Sequence, residues 1–288
     1  MTQAWTLLNL LNWTIQYFTE KEVESPRASA EILLSDTLGI SRLDLYVRFE
    51  QPVMPEELAC FRERIKRRVA GAPVAYIVGH KGFWKMTLAM TPAVLIPRPE
   101  TERLIEEILS LFPDRTQKLS ILDLGTGSGA IALALAGEYE QASILAVDVS
   151  PEALAVAGQN LDRMGMADRV ILRVSNWLEK VDSKERFDLI VSNPPYIPST
   201  EIAHLQTEVR EFEPKLALDG GLDGLRDIFY LLEKVPVYLV SGGYFLMETG
   251  SDQKKALEGF LKDRSEWKHI EFIKDYAGLD RIVVLQKV

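Results

Sequence analysis

The chain has 288 residues, of which 47% are hydrophobic and 26% charged, with a formal net charge of -9 and an isoelectric point of about 5.1. This balance is typical of a globular protein with a sizeable core. The negative net charge argues against a protein held on nucleic acid mainly by bulk electrostatics.

The single cysteine, Cys60, excludes an intramolecular disulfide, which fits a reducing cytoplasm. The first residues lack the basic segment and cleavage site of a signal peptide, and no apolar run approaches the length of a membrane span. We therefore expect a cytoplasmic protein without a membrane partner. The three histidines and one cysteine are scattered, so no metal site is predicted.

Helical periodicity extends from the N-terminus to about Ala70. Apolar residues recur at helix spacing in its first stretch, at Trp5, Leu8, Leu11 and Ile15. A serine–proline pair before the second stretch is a helix-start signal. The pattern predicts a small all-helical domain over residues 1–72, with its tryptophans and its cysteine in the core.

The period changes between residues 73 and 98. This stretch is rich in β-branched and aromatic residues and has glycines near its middle. Such a composition is typical of a β-hairpin. We therefore predict a hairpin linker over residues 73–98 between two domains.

Strand and helix patterns alternate over residues 99–288. Continuous apolar strands alternating with helices indicate a parallel sheet that is covered on both faces. The last two strands lie close together along the chain, which suggests a terminal antiparallel hairpin. The pattern predicts an α/β domain with a seven-stranded, Rossmann-like sheet, whose strands lie in LSILDLG, SILAVDVS, RVILRVS, FDLIVSNPPY, GGYFLMETG, HIEFIKD and RIVVLQK.

A glycine-rich loop, DLGTGSGA, spans Asp123–Ala130 between a predicted strand and helix. Glycines allow close approach of the backbone to a ligand, and the helix N-terminus favours negative charge. Roughly twenty residues later, Asp148 ends the next strand, where a carboxylate can accept both hydroxyls of a ribose. The loop alone fits a nicotinamide cofactor as well as S-adenosylmethionine.

An unusual strand end, NPPY, follows the buried strand FDLIVS. Because ligands bind beyond the carboxyl ends of strands in an open α/β sheet, we expect Asn193 to lie in the same crevice as Asp148. A planar amide or aromatic amine must be gripped through its N–H groups before it can be methylated. The Asn193 side-chain oxygen and the Pro194 carbonyl can accept those hydrogens, and the Tyr196 ring can pack on the flat substrate group.

These motifs resemble the class I S-adenosylmethionine-dependent methyltransferases, and most closely the protein-(glutamine-N5) methyltransferases of peptide chain release factors. The similarity covers nearly the whole chain and includes VLIPRPETE, ILDLGTGSGAIALALA, FDLIVSNPPYIP and EPKLALDGGLDGL. It implies methyl transfer from S-adenosylmethionine, giving S-adenosylhomocysteine, to the glutamine of the Gly-Gly-Gln motif in release factors 1 and 2. It also implies a helical domain that docks the substrate.

The resemblance also assigns site residues by motif position. It places Asn193 at the cofactor and the substrate, and implies that Arg98, Glu100 and Thr101 close over the site. The implied cofactor-binding residues are Gly125, Thr126, Gly127, Ser128, Gly129, Asp148, Trp177 and Asn193. The implied catalytic residues are Asn193, Pro194 and Tyr196, and the implied substrate-binding residues are Asn193, Pro194, Pro195 and Tyr196.

Several alternatives stay open at the level of the residues. The substrate can be a glutamine of a ribosomal protein, or an adenine amino group of nucleic acid that is flipped out of its stack. A nicotinamide-dependent oxidoreductase leaves NPPY unexplained, and a non-catalytic binding module leaves it unused. Glu248, at a strand end, fits a site role and a structural role equally. The basic run Arg62–Arg68 is interpreted as a solvated helix face. Nothing demands an oligomer, so we expect a monomer.

Overall fold

The computed structural model describes residues 5–288, and the first four residues of the predicted helical domain lie outside them. The chain forms two compact units. The first contains the chain up to His80 together with Gln206–Phe212, and the second contains Lys81–Leu205 and Glu213–Val288. The sequence does not predict the inclusion of Gln206–Phe212 in the first unit. The boundaries expected after residues 72 and 98 stay a prediction.

Among residues 5–80 the regular structure is helical, apart from His80 at the start of β1 and a bridge between Thr6 and Pro52. Helices also cover the sheet of the second unit. The helices are α1 (Leu7–Glu20), α2 (Pro26–Leu38), α3 (Asp44–Val47), α4 (Pro55–Val69), α5 (Val74–Val78), α6 (Pro99–Leu111), α7 (Ala130–Glu138), α8 (Pro151–Met164), α9 (Thr207–Phe212), α10 (Arg226–Lys234) and α11 (Lys254–Leu261). The strands are β1 (His80–Phe83), β2 (Met86–Ala89), β3 (Ser120–Leu124), β4 (Ser143–Asp148), β5 (Val170–Val174), β6 (Phe187–Ser192), β7 (Leu239–Glu248), β8 (Trp267–Lys274) and β9 (Asp280–Lys287). None of the helices in this described part of the chain is long and apolar enough to span a membrane.

Helix α1 forms where its periodicity predicts it, but with a different buried face. The Thr6 side chain caps the helix by accepting a hydrogen bond from the backbone N–H of Asn9 at 3.3 Å. Trp13 is 44% exposed and stacks on Tyr17, so its predicted place in the core is wrong. The side chains that α1 buries are Leu7, Leu10, Leu11, Thr14 and Phe18.

One further expectation for the first unit is wrong, and another holds for only part of the basic run. Cys60 is exposed. Arg68 of the basic run is 5% exposed, and its guanidinium donates to a carboxylate oxygen of Glu208 at 2.5 Å. Arg64 pairs with Asp36, also at 2.5 Å. Because these arginines are used inside the unit, the basic run is not simply a solvated face.

The predicted hairpin is confirmed but is shorter than expected. Strands β1 and β2 pair through a two-residue turn at Trp84 and Lys85. The preceding residues Val74–Val78 form helix α5, although their β-branched composition favours a strand. Helical packing in the first unit therefore overrides the local β-propensity.

The predicted seven-stranded α/β sheet is confirmed. Its strand order is β5-β4-β3-β6-β7-β9-β8, and all neighbours are parallel except β9, which runs antiparallel to β7 and β8. Strands β4 and β5 follow outward from β3 on one side, and β7 follows outward from β6 on the other side, where β9 lies between β7 and β8. The order therefore reverses between β3 and β6, and in such sheets ligands bind at the carboxyl ends of the strands beside that reversal.

Candidate active site

The crevice at the reversal is built by the ends of β3 and β6. Leu124 and Ser192 are partners in register, and the Ser192 hydroxyl donates to the Leu124 carbonyl at 2.8 Å. The next residues, Gly125 and Asn193, therefore leave the sheet side by side. Both line a cavity of about 540 Å³, a size within the usual range for small-molecule sites.

The glycine loop needs glycine at three positions. Gly125, Gly127 and Gly129 have φ angles of 75°, 57° and 81°, in the left-handed region that other residues rarely adopt. At Gly125, an added Cβ would lie 3.2 Å from the ring of Trp177. Gly129 caps the N-terminus of α7 and does not line the cavity, whereas Gly125, Thr126, Gly127 and Ser128 do.

Asp148 lines the cavity from the end of β4. One of its oxygens accepts the backbone N–H of Gly127 at 2.8 Å, and the other accepts that of Ser150 at 2.9 Å. Burial raises the pKa of the Asp148 carboxyl above its ordinary value, and these backbone donors oppose the rise. Each oxygen keeps a second acceptor site, so the carboxylate can receive a pair of vicinal hydroxyls.

Trp177 forms a wall of the cavity next to the glycine loop. Its backbone has a φ of 48°, uncommon for a residue other than glycine. The Ser175 hydroxyl donates to the Trp177 carbonyl at 2.7 Å, and the indole N–H donates to Asp227 at 3.1 Å. These bonds hold the ring where a flat base can stack on it.

Asn193 is held by a hydrogen-bonded chain that the sequence does not reveal. Its side-chain N–H donates to the Thr101 hydroxyl at 3.3 Å, and that hydroxyl donates to Glu248 Oε2 at 2.7 Å. The Tyr196 hydroxyl donates to Glu248 Oε1 at 3.2 Å. Burial raises the pKa of the Glu248 carboxyl, while Thr101, the charge of Arg281 and Tyr196 oppose the rise. Burial and the Glu248 charge raise the pKa of Tyr196, which therefore stays a hydroxyl donor.

The remaining residues of NPPY differ in their relation to the cavity. Pro195 lines it, whereas Pro194 and Tyr196 do not. The Tyr196 carbonyl accepts the Gln253 side-chain N–H at 3.0 Å. A Cβ on Gly224 would lie 2.2 Å from the same carbonyl oxygen. The glycine-rich stretch before α10 thus packs directly on the NPPY backbone, a contact that the sequence does not predict.

The residues expected to close over the site separate into two groups. Thr101 lines the cavity, but Arg98 and Glu100 do not. The Arg98 guanidinium instead donates to Glu213 at 2.6 Å, and the same carboxylate accepts the backbone N–H of Ile96 at 3.1 Å. Arg98 therefore fixes the segment before α6 rather than facing the cavity.

Asp123, at the base of the glycine loop, is a buried carboxyl whose burial the sequence does not predict. Its Oδ2 accepts the Thr126 hydroxyl at 2.6 Å, whereas its Oδ1 is buried without a hydrogen-bond partner. Burial raises its pKa to about 7. The segment LDLG predicts a strand that contains Asp123, but it does not indicate that this side chain is buried.

The cavity fits the S-adenosylmethionine that the resemblance implies. The paired acceptor sites of Asp148 suit a ribose, and the loop from Gly125 to Ser128 leaves space for an amino-acid tail because it carries few side-chain atoms. Trp177 and Val149 offer apolar surface to an adenine. Among residues 5–288 no group of histidine, cysteine, aspartate or glutamate side chains could hold a metal ion.

Comparison with known proteins identifies the family. Residues 9–79 match the family model described as PrmC N-terminal domain, and residues 103–220 match the Methyltransferase small domain. The chain is 42% identical to the release factor glutamine methyltransferase of Geobacter sulfurreducens, over 98% of this chain and 96% of that protein. It is 40% identical to the enzyme of the same name from Rhodopirellula baltica, over 98% and 97%.

A solved methyltransferase from Pyrococcus furiosus shares the fold, with a TM-score of 0.53 and 21% identity over 78% of this chain and 98% of that one. The predicted family is therefore confirmed, since the curated relatives match along almost the full length of the chain. The chain belongs to the release factor glutamine methyltransferase family.

Proposed function

We propose that this protein transfers a methyl group from S-adenosylmethionine to the side-chain amide nitrogen of the Gly-Gly-Gln glutamine in release factors 1 and 2. The observation that carries the proposal is the shared cavity, since Asn193 lies beside the glycine loop and Asp148 in one lining. The family relatives, named release factor glutamine methyltransferases, support this substrate.

The cofactor half of the cavity holds the methyl donor. S-adenosylmethionine, when bound, supplies a methyl group on a positively charged sulfur. The carboxylate of Asp148 would receive the ribose hydroxyls, and the backbone from Gly125 to Ser128 would face the amino-acid part. Trp177 packs beside the adenine. The expected product is S-adenosylhomocysteine, held by the same contacts.

The substrate half presents the amide nitrogen to the methyl group. Within the cavity lining, the Asn193 Oδ1 atom accepts one amide hydrogen and Pro195 packs against the flat glutamine amide. The Pro194 carbonyl and the Tyr196 ring, which do not line the cavity before the substrate binds, take the second hydrogen and the other part of the amide in the complex. An amide nitrogen is a weak nucleophile, so most of the acceleration comes from holding it in line with the methyl group. The N–C bond forms as the S–C bond breaks. The methylated nitrogen then loses a proton to water, because it is strongly acidic while protonated.

The partners follow from this chemistry. The substrate is a protein, and the first unit, which matches the PrmC N-terminal domain, supports its docking. Nucleic acid is disfavoured as a substrate by the formal net charge of -9.

A methyl-transfer assay with labelled S-adenosylmethionine tests the proposal. Purified release factor, ribosomal proteins and duplex DNA are offered side by side, and mass spectrometry locates the label. We expect label on the Gly-Gly-Gln glutamine and none on a release factor in which that glutamine is replaced. Label on a ribosomal protein or on adenine alone would overturn the proposed substrate.

A variant pair tests the site in the same assay. Asn193→Ala should reduce transfer by at least about 10²-fold, because a misplaced acceptor no longer aligns the substrate. It should leave much of the cofactor affinity intact. Gln141→Ala is the matched control, since it removes the side-chain amide of an exposed residue that does not line the cavity. Full activity of Asn193→Ala would contradict the proposal that Asn193 aligns the substrate amide.

A further inference from the structure

The hydrogen-bonded chain behind Asn193 has a defined direction. A carboxylate only accepts hydrogen bonds. The Thr101 hydroxyl therefore points its one hydrogen at Glu248, over 2.7 Å. Because that hydrogen is used, the Thr101 hydroxyl can only accept a hydrogen bond from Asn193. Asn193 therefore donates its side-chain N–H to Thr101, over 3.3 Å. The Asn193 oxygen is then left as the group that the side chain presents to the cavity.

The same carboxylate also fixes Tyr196. Its second oxygen accepts the tyrosine hydroxyl at 3.2 Å. Thus one buried side chain, 1% exposed, holds both polar members of NPPY, one directly and one through Thr101. A buried carboxylate destabilises a fold unless it is paired. Here two hydroxyl donors and the charge of Arg281 stabilise the ionised form of Glu248, while the nearby negative charge of Glu100 destabilises it.

We propose that Glu248 and Thr101 are positioning residues that set the orientation of the Asn193 amide. The inference rests on the proposed function, because it concerns how that site grips its substrate. In this hydrogen-bonded chain, Asn193 presents an acceptor to the hydrogens of the substrate amide. With the amide turned over, Asn193 would present its own N–H groups and repel them.

Three variants separate this role from a packing role. Thr101→Val keeps the shape of the side chain but removes the hydroxyl, and Thr101→Ser keeps the hydroxyl but removes a methyl group. Glu248→Gln has one acceptor oxygen for two hydroxyl donors. We expect Thr101→Val and Glu248→Gln to lower kcat by about 10²-fold, the scale for a misplaced catalytic contact. Thr101→Ser should retain most of the wild-type kcat.

A control variant and a binding measurement complete the kinetic test. Thr14→Val removes another buried hydroxyl, which donates to the Leu10 carbonyl at 2.8 Å in the first unit, and it should leave kcat unchanged. The Kd for S-adenosylmethionine, measured by calorimetry, should stay near the wild-type value in every variant. Wild-type kcat in either Thr101→Val or Glu248→Gln would overturn the inference.

A spectroscopic readout is independent of turnover. The side-chain amide signals of Asn193 are assigned in a nitrogen-15 spectrum by their absence in Asn193→Ala. The amide proton that is bonded to Thr101 should move upfield in Thr101→Val and stay in place in Thr101→Ser. An unmoved signal in Thr101→Val would overturn the inference even if the wild-type enzyme methylates a different substrate. Absence of label on release factors would overturn the proposed substrate alone.

Discussion

Replacing Asp148 by alanine should weaken S-adenosylmethionine binding far more than it weakens the fold. Each carboxylate oxygen accepts one backbone N–H, from Gly127 at 2.8 Å and from Ser150 at 2.9 Å. A carboxylate oxygen has two acceptor sites. One site on each oxygen therefore stays available for a ribose hydroxyl, and both are lost in Asp148→Ala.

The size of the effect follows from these two bonds. A hydrogen bond to a charged group contributes about 1.5–3 kcal/mol, so two of them contribute about 3–6 kcal/mol. Because about 1.4 kcal/mol is tenfold in affinity, the Kd should rise by about 10²- to 10⁴-fold. Burial raises the pKa of Asp148, so its ionised form opposes folding at neutral pH. Removing the charge offsets the lost backbone bonds, and the thermal midpoint without cofactor should change little.

Calorimetric titration with S-adenosylmethionine and with S-adenosylhomocysteine measures the effect. Asp148→Asn should also bind weakly, because its NH₂ group must face either the Gly127 or the Ser150 N–H. Asp162→Ala, which removes an exposed carboxylate from α8, is the matched control. An unchanged Kd in a folded Asp148→Ala protein would refute the ribose role.

Three further predictions concern the surroundings of the site and the first unit. Gly224→Ala should lower kcat by at least about tenfold, since its Cβ would lie 2.2 Å from the Tyr196 carbonyl oxygen; Gly278→Ala, with φ +80° but no atom within 4 Å, is the control for backbone strain, and equal effects of both would contradict this reasoning. Arg68→Met should lower the free energy of unfolding by roughly 3 kcal/mol, because it leaves a carboxylate without its buried partner; chemical denaturation measures this, and a loss below about 0.5 kcal/mol would show the pair to be dispensable. As pH falls, wild-type kcat should decrease when Glu248 becomes protonated, at a higher pH than for an ordinary glutamate because burial raises its pKa; Glu248→Gln should lack that decrease in its pH profile.

Much of the second unit was predictable because its signals are local. Apolar strands alternating with helices predict a parallel sheet, and the carboxyl ends of such strands meet along one edge. That rule brought together Gly125, Asp148 and Asn193, which do line one cavity. The roles of these residues toward cofactor and substrate stay a proposal, with the experiments above as their test.

Local periodicity did not predict which side chains are buried, because several faces of a helix can fit the same pattern and packing decides between them. Helix α1 exists as predicted, but which of its apolar residues are buried depends on where α2 lies, and Trp13 is left 44% exposed. The β-branched run Val74–Val78 became helical. Cys60 lies on the exposed side of α4. Each error concerns a neighbour supplied by another part of the chain.

The sequence by itself determined that a helical domain precedes an α/β domain. It also determined the glycine loop, the acid at the end of β4 and the strand end at Asn193. Each of these features depends on residues that lie close together in the chain. Only the tertiary structure decided that Thr101 and Glu248, 147 residues apart, form a hydrogen bond. It also decided that Gln206–Phe212 belongs to the first unit. Such pairings depend on which elements become neighbours in the folded chain, and residue periodicity carries no record of that choice.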